Sequence, residues 1–483
     1  QYAFAHALVR EAAYATLVEA DRALGHWLAA EWLEQMGHAD ALEMAEHFRR
    51  GGEPARSARW YRRAAEQALE ASDLGAAIER AELGAGCDPS PEDRGGLLLV
   101  EAEAHLWRGD LALAEQRGLE AAAHLPVGSA AWFRAVIQVV NAAGKLGGTG
   151  RVEAWVDRVS AAIPAEGAAG TRITCLCGCA IHLLMGGRYA AADALIAAIE
   201  RATTGTPELD AETTAVIHQV RSFLASARGD LGGCLEACRA ALAAFEQAED
   251  HRNACSINGN LGFLFAELGD FDGAEKALCS AQAVAFRLGL HNLAAVAAHN
   301  LGHVLARLGR LDEARRIEQG AVEVFQQQGE RRLEGAARTY LAEIALLAGD
   351  LDAAEREARA AAEALEVAPS LRPVAVALLG RVLIGLDRLP EALAAAGEAM
   401  AALASHGALE EGETTVRLVH ATALRASGRE REFARAIAEA RDQLLARAAK
   451  IGDPVWRERF LSGVGENAET LALAAACDAA ARC

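Results

Sequence analysis

Aromatic side chains make up only 5% of this 483-residue chain, and their scarcity excludes a first group of folds. A β-sandwich or barrel builds its core from β-branched and aromatic residues, which this sequence does not supply. Proline is rare too, at 10 against 45 glycines, so glycine punctuates the chain. Positive charge falls short as well. The 48 Lys and Arg against 67 Asp and Glu leave a net charge of −19, which argues against a nucleic-acid binder because phosphate contacts need a positive surface. The longest stretch without a formal charge, Leu288 to Ala306, contains His291, His299, His303, Asn292 and Asn300 and is too polar to span a membrane. The start, Gln1 to Leu17, is amphipathic and charged rather than basic and then apolar, so it does not read as a signal peptide. Ten cysteines without a Cys-x-x-Cys pair are expected to be reduced thiols of a cytoplasmic protein. The missing initiator Met leads to the expectation that the chain is part of a larger protein.

What is present is alanine and leucine interleaved with Glu and Arg, the composition of helices that pack closely through small side chains. A repeat organises them. A glycine, then Asp or Arg, then an apolar residue recurs at Gly187-Arg188-Tyr189, Gly229-Asp230-Leu231, Gly269-Asp270-Phe271, Gly309-Arg310-Leu311 and Gly349-Asp350-Leu351, at steps of 42, 40, 40 and 40. The register continues at Asp387-Arg388-Leu389 and Gly428-Arg429, and backwards to Gly148 and Gly109-Asp110-Leu111. Each period holds two amphipathic helices. Leu261, Phe265 and Leu268 predict one buried stripe, Gly269 a left-handed helix end, and Ala274, Leu278 and Ala281 the contact face of the next helix. Such a hairpin cannot bury its apolar face alone, so neighbours must stack. The expected fold is all-α, a right-handed α-solenoid of about 40-residue hairpins over residues 51–440, with residues 441–483 as a helical cap.

Asn260-Leu261-Gly262, Phe265, Gly269-Asp270-Phe271 and Ala274, repeated as Asn300-Leu301-Gly302, Leu305, Gly309-Arg310-Leu311 and Ala314, resemble the tetratricopeptide repeat. The period of 40 exceeds the usual length of about 34 and is similar to the superhelical sensor region of maltose-regulator-type signalling ATPases. Residues 1–50, with Tyr2-Ala3-Phe4-Ala5-His6, Tyr14, His26 and Trp32-Leu33-Glu34, resemble the helical junction that ends the winged-helix part after the nucleotide-binding module of bacterial STAND-type ATPases. Asp453-Pro454-Val455-Trp456-Arg457, Phe460-Leu461 and Glu466-Asn467 are similar to the closing segment of multidomain bacterial serine/threonine kinases that carry such modules. The resemblance implies a sensor region that binds a peptide, protein or small effector and regulates an attached nucleotide-binding or kinase module. A static protein–protein scaffold is the alternative.

The sequence carries no recognisable catalytic motif. Gly144-Lys145-Leu146-Gly147-Gly148-Thr149 has the phosphate-loop residues in the wrong order, and Asp270-Phe271-Asp272-Gly273 is a repeat turn rather than a metal-binding Asp-Phe-Gly. No enzyme activity, catalytic residue, metal or cofactor is expected. His299 and His303 lie one helical turn apart and could chelate a metal, but Asn300 stands where a zinc protease needs Glu. Two polar histidines on a helix face is the plainer reading. The resemblance adds a third: the positions of Asn260, Phe263, Asn300 and His303, with His299, line the concave groove of the repeat family, and Asn can satisfy both N–H and C=O of an extended peptide. Cys175, Cys177 and Cys179 on one helix, and Cys234 and Cys238 on another, read as buried small hydrophobes. Arg49, Arg50, Arg56, Arg59, Arg62 and Arg63 flank Trp60 and Tyr61. They form either a solvated helix face or, through Arg59, Trp60, Arg62 and Arg63, a dock for the attached module.

Overall fold

The computed structural model describes residues 7–38, 40–204, 209–406, 409 and 411–480. The start of the junction motif, Tyr2 to His6, lies outside the described residues, as does Cys483. Among the described residues every regular element is a helix. They fall into two compact units, Gln1–Val139 with Ile163–Ala168, and Val140–Ala162 with Ala169–Cys483.

The first unit holds α1 (Ala7–Thr16), α2 (Glu19–Gln35), α3 (Ala41–Arg50), α4 (Pro54–Glu70), α5 (Leu74–Ala85), α6 (Pro91–Arg108) and α7 (Leu111–His124); α8 (Ala130–Lys145) begins in it. From α2 onward each helix packs on the next, and α4 also meets α6. Caps account for the boundaries. Asp40, Asp73 and Ser90 each accept a backbone N–H at the start of α3, α5 and α6, and Gly109 closes α6 at φ +88°.

The second unit continues with α9 (Thr149–Ala161), α10 (Ala169–Met185), α11 (Tyr189–Thr203), α12 (Ala211–Ala227), α13 (Leu231–Gln247), α14 (His251–Glu267) and α15 (Phe271–Arg287). Then come α16 (His291–Arg307), α17 (Leu311–Gln328), α18 (Arg331–Leu347), α19 (Leu351–Ala364), α20 (Arg372–Gly385), α21 (Leu389–His406), α22 (Glu413–Ala426) and α23 (Glu430–Ala449). Two short closing helices follow, α24 (Pro454–Gly463) and α25 (Gly465–Ala480). The first helix of each hairpin packs both on its partner and on the first helix of the next hairpin, α14 on α16, α16 on α18, α18 on α20 and α20 on α22. This is the stacking of an α-solenoid. The repeated alanines Ala274, Ala314 and Ala354, on α15, α17 and α19, are fully buried.

The turn chemistry follows the repeat. Gly187, Gly229, Gly269, Gly309 and Gly349 all have positive φ, the left-handed conformation that releases the chain from one helix. The Asp that follows caps the next helix: Asp230 accepts from Gly233 N–H at 2.9 Å and Asp350 from Ala353 N–H at 3.0 Å. Where Arg replaces Asp, the side chain reaches back one repeat, Arg310 to Glu275 at 2.6 Å and Arg188 to Glu153 at 2.6 Å. Three details depart from expectation. The left-handed position before α9 is Gly147 (φ +74°), not Gly148 (φ −82°). The helix α23 runs through residue 440, where the cap was expected to begin. Phe265 is only half-buried, unlike Leu261 and Leu268, although it still packs against the core.

Candidate functional site

The inner helices of the second unit line a small cleft that is open to solvent. Glu267 comes from α14, His303 and Arg307 from α16, Tyr340 and Glu343 from α18, and Leu378 and Arg381 from α20. Glu411 and Thr414 border it at the start of α22, Arg447 on α23, and Phe460, Glu466 and Asn467 on α24 and α25.

Tyr340 is the centre of this wall. Its ring lies between two imidazoles, His299 at 4.7 Å and 19° and His303 at 4.4 Å and 27°, and its hydroxyl donates to Glu411 at 3.0 Å. Burial lifts the phenol well above its usual range. Behind it, His299 Nδ1 sits 2.9 Å from the carboxylate of fully buried Glu318. Burial pushes the Glu318 carboxyl upward, partly opposed by His299. Gly302 makes room for it, since a Cβ there would lie 2.5 Å from Glu318 Oε1.

The front of the wall is a charge ladder. His303 Nδ1 is 3.4 Å from Glu343, Arg307 is 3.0 Å from Glu343 and 2.9 Å from Glu466, and Arg381 is 3.8 Å from Glu466. Burial alone would raise Glu343, but Arg307 and His303 outweigh it and hold the carboxyl at about 2. Burial would lower His303, and Glu343 reverses that, so its pKa is raised. Glu267 is pushed up by burial, with Arg447, His303 and Arg307 opposing.

Of the expected groove residues, only His303 lines the cleft. His299 is buried one layer behind it, and Asn260, Phe263 and Asn300 are half-buried on α14 and α16 away from the cleft. Carrying the register further would have found the rest. One period beyond Asn300 and His303 stand Tyr340 and Glu343, and the next, shorter period brings Leu378 and Arg381. Glu318 had a signal too: it occupies the repeat position of Leu278 and Ala358, so a charge falls where its neighbours are apolar.

The two histidines face carboxylates and a phenol, and among the described residues no group of three or more His, Cys, Asp or Glu could hold a metal ion. Cys175, Cys177 and Cys179 are all buried on α10, and burial pushes the Cys177 thiol up to about 12. Cys234 and Cys238 are likewise buried. The arginines of the junction meet acids of their own or neighbouring helices within the first unit. Arg49 and Arg50 pair with Glu46, Arg56 with Glu31 and Glu34, and Arg62 with Asp93 at 3.2 Å. Arg59 lies 3.7 Å from the same Asp93 yet stays 70% exposed, and Arg63 lies over the Trp60 ring at 5.4 Å.

No family model and no curated protein matches the sequence. The structure is similar to a Rap protein solved with competence and sporulation factor, at TM-score 0.50 and 13% identity, covering 80% of this chain and 99% of that one. It also resembles the Cut9–Hcn1 hetero-tetramer of the APC/C (TM-score 0.46, 12% identity, 94% and 92% covered) and yeast Tom70 (TM-score 0.40, 12% identity, 96% and 97% covered). The fold is thus that of a tetratricopeptide-like helical-repeat solenoid. Among the described residues, no helix is long and apolar enough to cross a membrane.

Proposed function

We propose that this chain is a non-enzymatic, cytoplasmic recognition module whose second unit takes a peptide or protein segment along its inner helices. The observation that carries this reading is the wall of the cleft. Successive repeats present His303, Glu343 and Arg381 at the same register position, with Tyr340 beside them. Carboxylate, guanidinium and imidazole groups around an aromatic ring can pair with the charged and polar side chains of a peptide or protein segment. The Rap structure, solved in complex with competence and sporulation factor, supports the same use of this fold. The finer reading is that occupancy is passed to an attached STAND-type nucleotide-binding or kinase module, supported by the resemblance of the flanks. Arg59, still 70% exposed although it lies 3.7 Å from Asp93, and the Arg63–Trp60 stack are the parts of the junction offered to it.

Selection of a random peptide library on the full chain tests the groove. Binders should lose at least tenfold in affinity to a His303→Ala/Tyr340→Ala variant, and to Asn260→Ala/Asn300→Ala if the ligand extends along the helices. Binders indifferent to both variants would overturn the assignment. A static scaffold is favoured by one observation, the bracing of early repeats by late ones, such as Lys450 Nζ on the Arg228 carbonyl at 2.8 Å. Hydrogen exchange separates the two: a bound sensor ligand changes protection over several repeats, a scaffold partner only at its footprint.

A further inference from the structure

The helix α24 is seated on the inner helices by a specific set of contacts. Its Trp456 ring stacks on Phe265 of α14 at 5.5 Å and 3°. One turn on, Arg459 reaches Asp270 at 3.0 Å and lies over the Trp456 ring at 5.4 Å. Phe460, the one buried residue of α24, borders the cleft beneath Arg447. The remainder of the helix is half-buried or exposed, with Val455 61% exposed. Glycines bound the helix at Gly452 and at Gly463 and Gly465; Gly463 packs on the backbone of Gly269, where a Cβ would lie 3.1 Å from the carbonyl oxygen. By contrast α25 is built into the solenoid, with Ala474 packed among Leu418, Ala421, Phe433 and Ile437.

We propose that the surface formed by Phe265, Asp270 and the adjoining cleft is a docking site for an amphipathic helix carrying an aromatic residue and an arginine one turn apart, and that α24 is its built-in occupant. A partner helix of this chemistry displaces α24, which swings on its flanking glycines while α25 stays in place. The inference rests on the groove reading above and names the class of partner. Chemistry argues for a helix rather than an extended strand: Trp456 and Arg459 are three residues apart and act on the same patch, as only helical spacing allows. The tether explains why the site is filled. A short linker holds α24 at an effective concentration in the millimolar range, so a free helix must outcompete it.

The test uses the full chain and a labelled synthetic peptide of residues Asp453–Gly463. The wild-type chain should bind this peptide at least tenfold more weakly than a Trp456→Ala/Arg459→Ala chain, whose own α24 no longer competes. A peptide carrying the same two alanines should bind neither. Equal affinity of the peptide for both chains, or no binding to a variant whose melting curve matches wild type, overturns the proposal. Should the variant fail to fold, hydrogen exchange on the wild-type chain decides: amides of α24 exchanging at least tenfold faster than those of α23 and α25 support a displaceable helix, and equal protection overturns it. The groove reading itself fails separately, only if library peptides ignore His303 and Tyr340.

Discussion

At the scale of single residues, the site is governed by what burial does to charge. Arg307 and His303 hold the Glu343 carboxyl down and Glu343 raises the His303 imidazole, so each favours the charged form of the other. The two linkages have opposite signs. Because the His303 pKa is raised above 6.5, its contribution is complete below that value and lost as pH rises through the raised one. Because Glu343 is held at about 2, below its ordinary 4.5, its contribution is complete above 4.5 and lost as pH falls toward about 2. Thermal stability should therefore be greatest between about 4.5 and 6.5 as far as this pair is concerned. In Glu343→Gln the acid limb of a melting-temperature profile should flatten, with a loss of about 3 kcal/mol because Arg307 and His303 are left without their carboxylate. An unchanged profile would show that the ladder does not couple. His303 is a candidate through its position in the repeat, two residues beyond Leu301. The sequence did not show Glu343 or Tyr340 as one, because asparagine was followed along the register rather than the position itself.

At the scale of elements, the glycine turns separate local from tertiary demands. Gly309 (φ +80°) has nothing within 4 Å of where a Cβ would stand, so Gly309→Ala should cost only the strain of the left-handed backbone, about 1 kcal/mol. Gly269 has nearly the same φ, +79°, but a Cβ there would lie 2.6 Å from the Arg459 carbonyl oxygen. Gly269→Ala should be worse by a further 1 kcal/mol or so, the cost of overpacking, and should loosen α24. Urea denaturation of the two variants, with hydrogen exchange at α24, reads both effects. Equal destabilisation would mean that α24 adapts freely to the turn. The turn itself was plain in the sequence, since glycine followed by Asp or Arg is a local signal. The approach of Arg459 was not, because nothing near Gly269 in the chain encodes it.

At the scale of the whole molecule, the second unit is braced by contacts between parts far apart in sequence. Arg307 meets Glu466, Arg447 lies beside Gly229, Lys450 holds the Arg228 carbonyl, and Ser370 reaches the Met185 carbonyl at 3.5 Å. Ending the chain after Ala449 should therefore speed hydrogen exchange at the turn before α13 and at the turn between α14 and α15. It should also loosen α22 and α23, which lose Ala474, while the α18–α19 hairpin keeps its protection. Exchange changes confined to α22 and α23 would show that the closing helices cap the last repeat without bracing the earlier ones.

The sequence by itself determined the helices, their turns and the buried alanines, because helix period, left-handed glycine and Asp capping are rules acting within a few residues. Ala274, Ala314 and Ala354 could be read that way without any partner in view. Only the tertiary structure decided which charges meet. Stacking curves the second unit until Glu466 faces Arg307 and Trp456 faces Phe265, pairings that no local rule specifies because they depend on the summed geometry of every repeat between them.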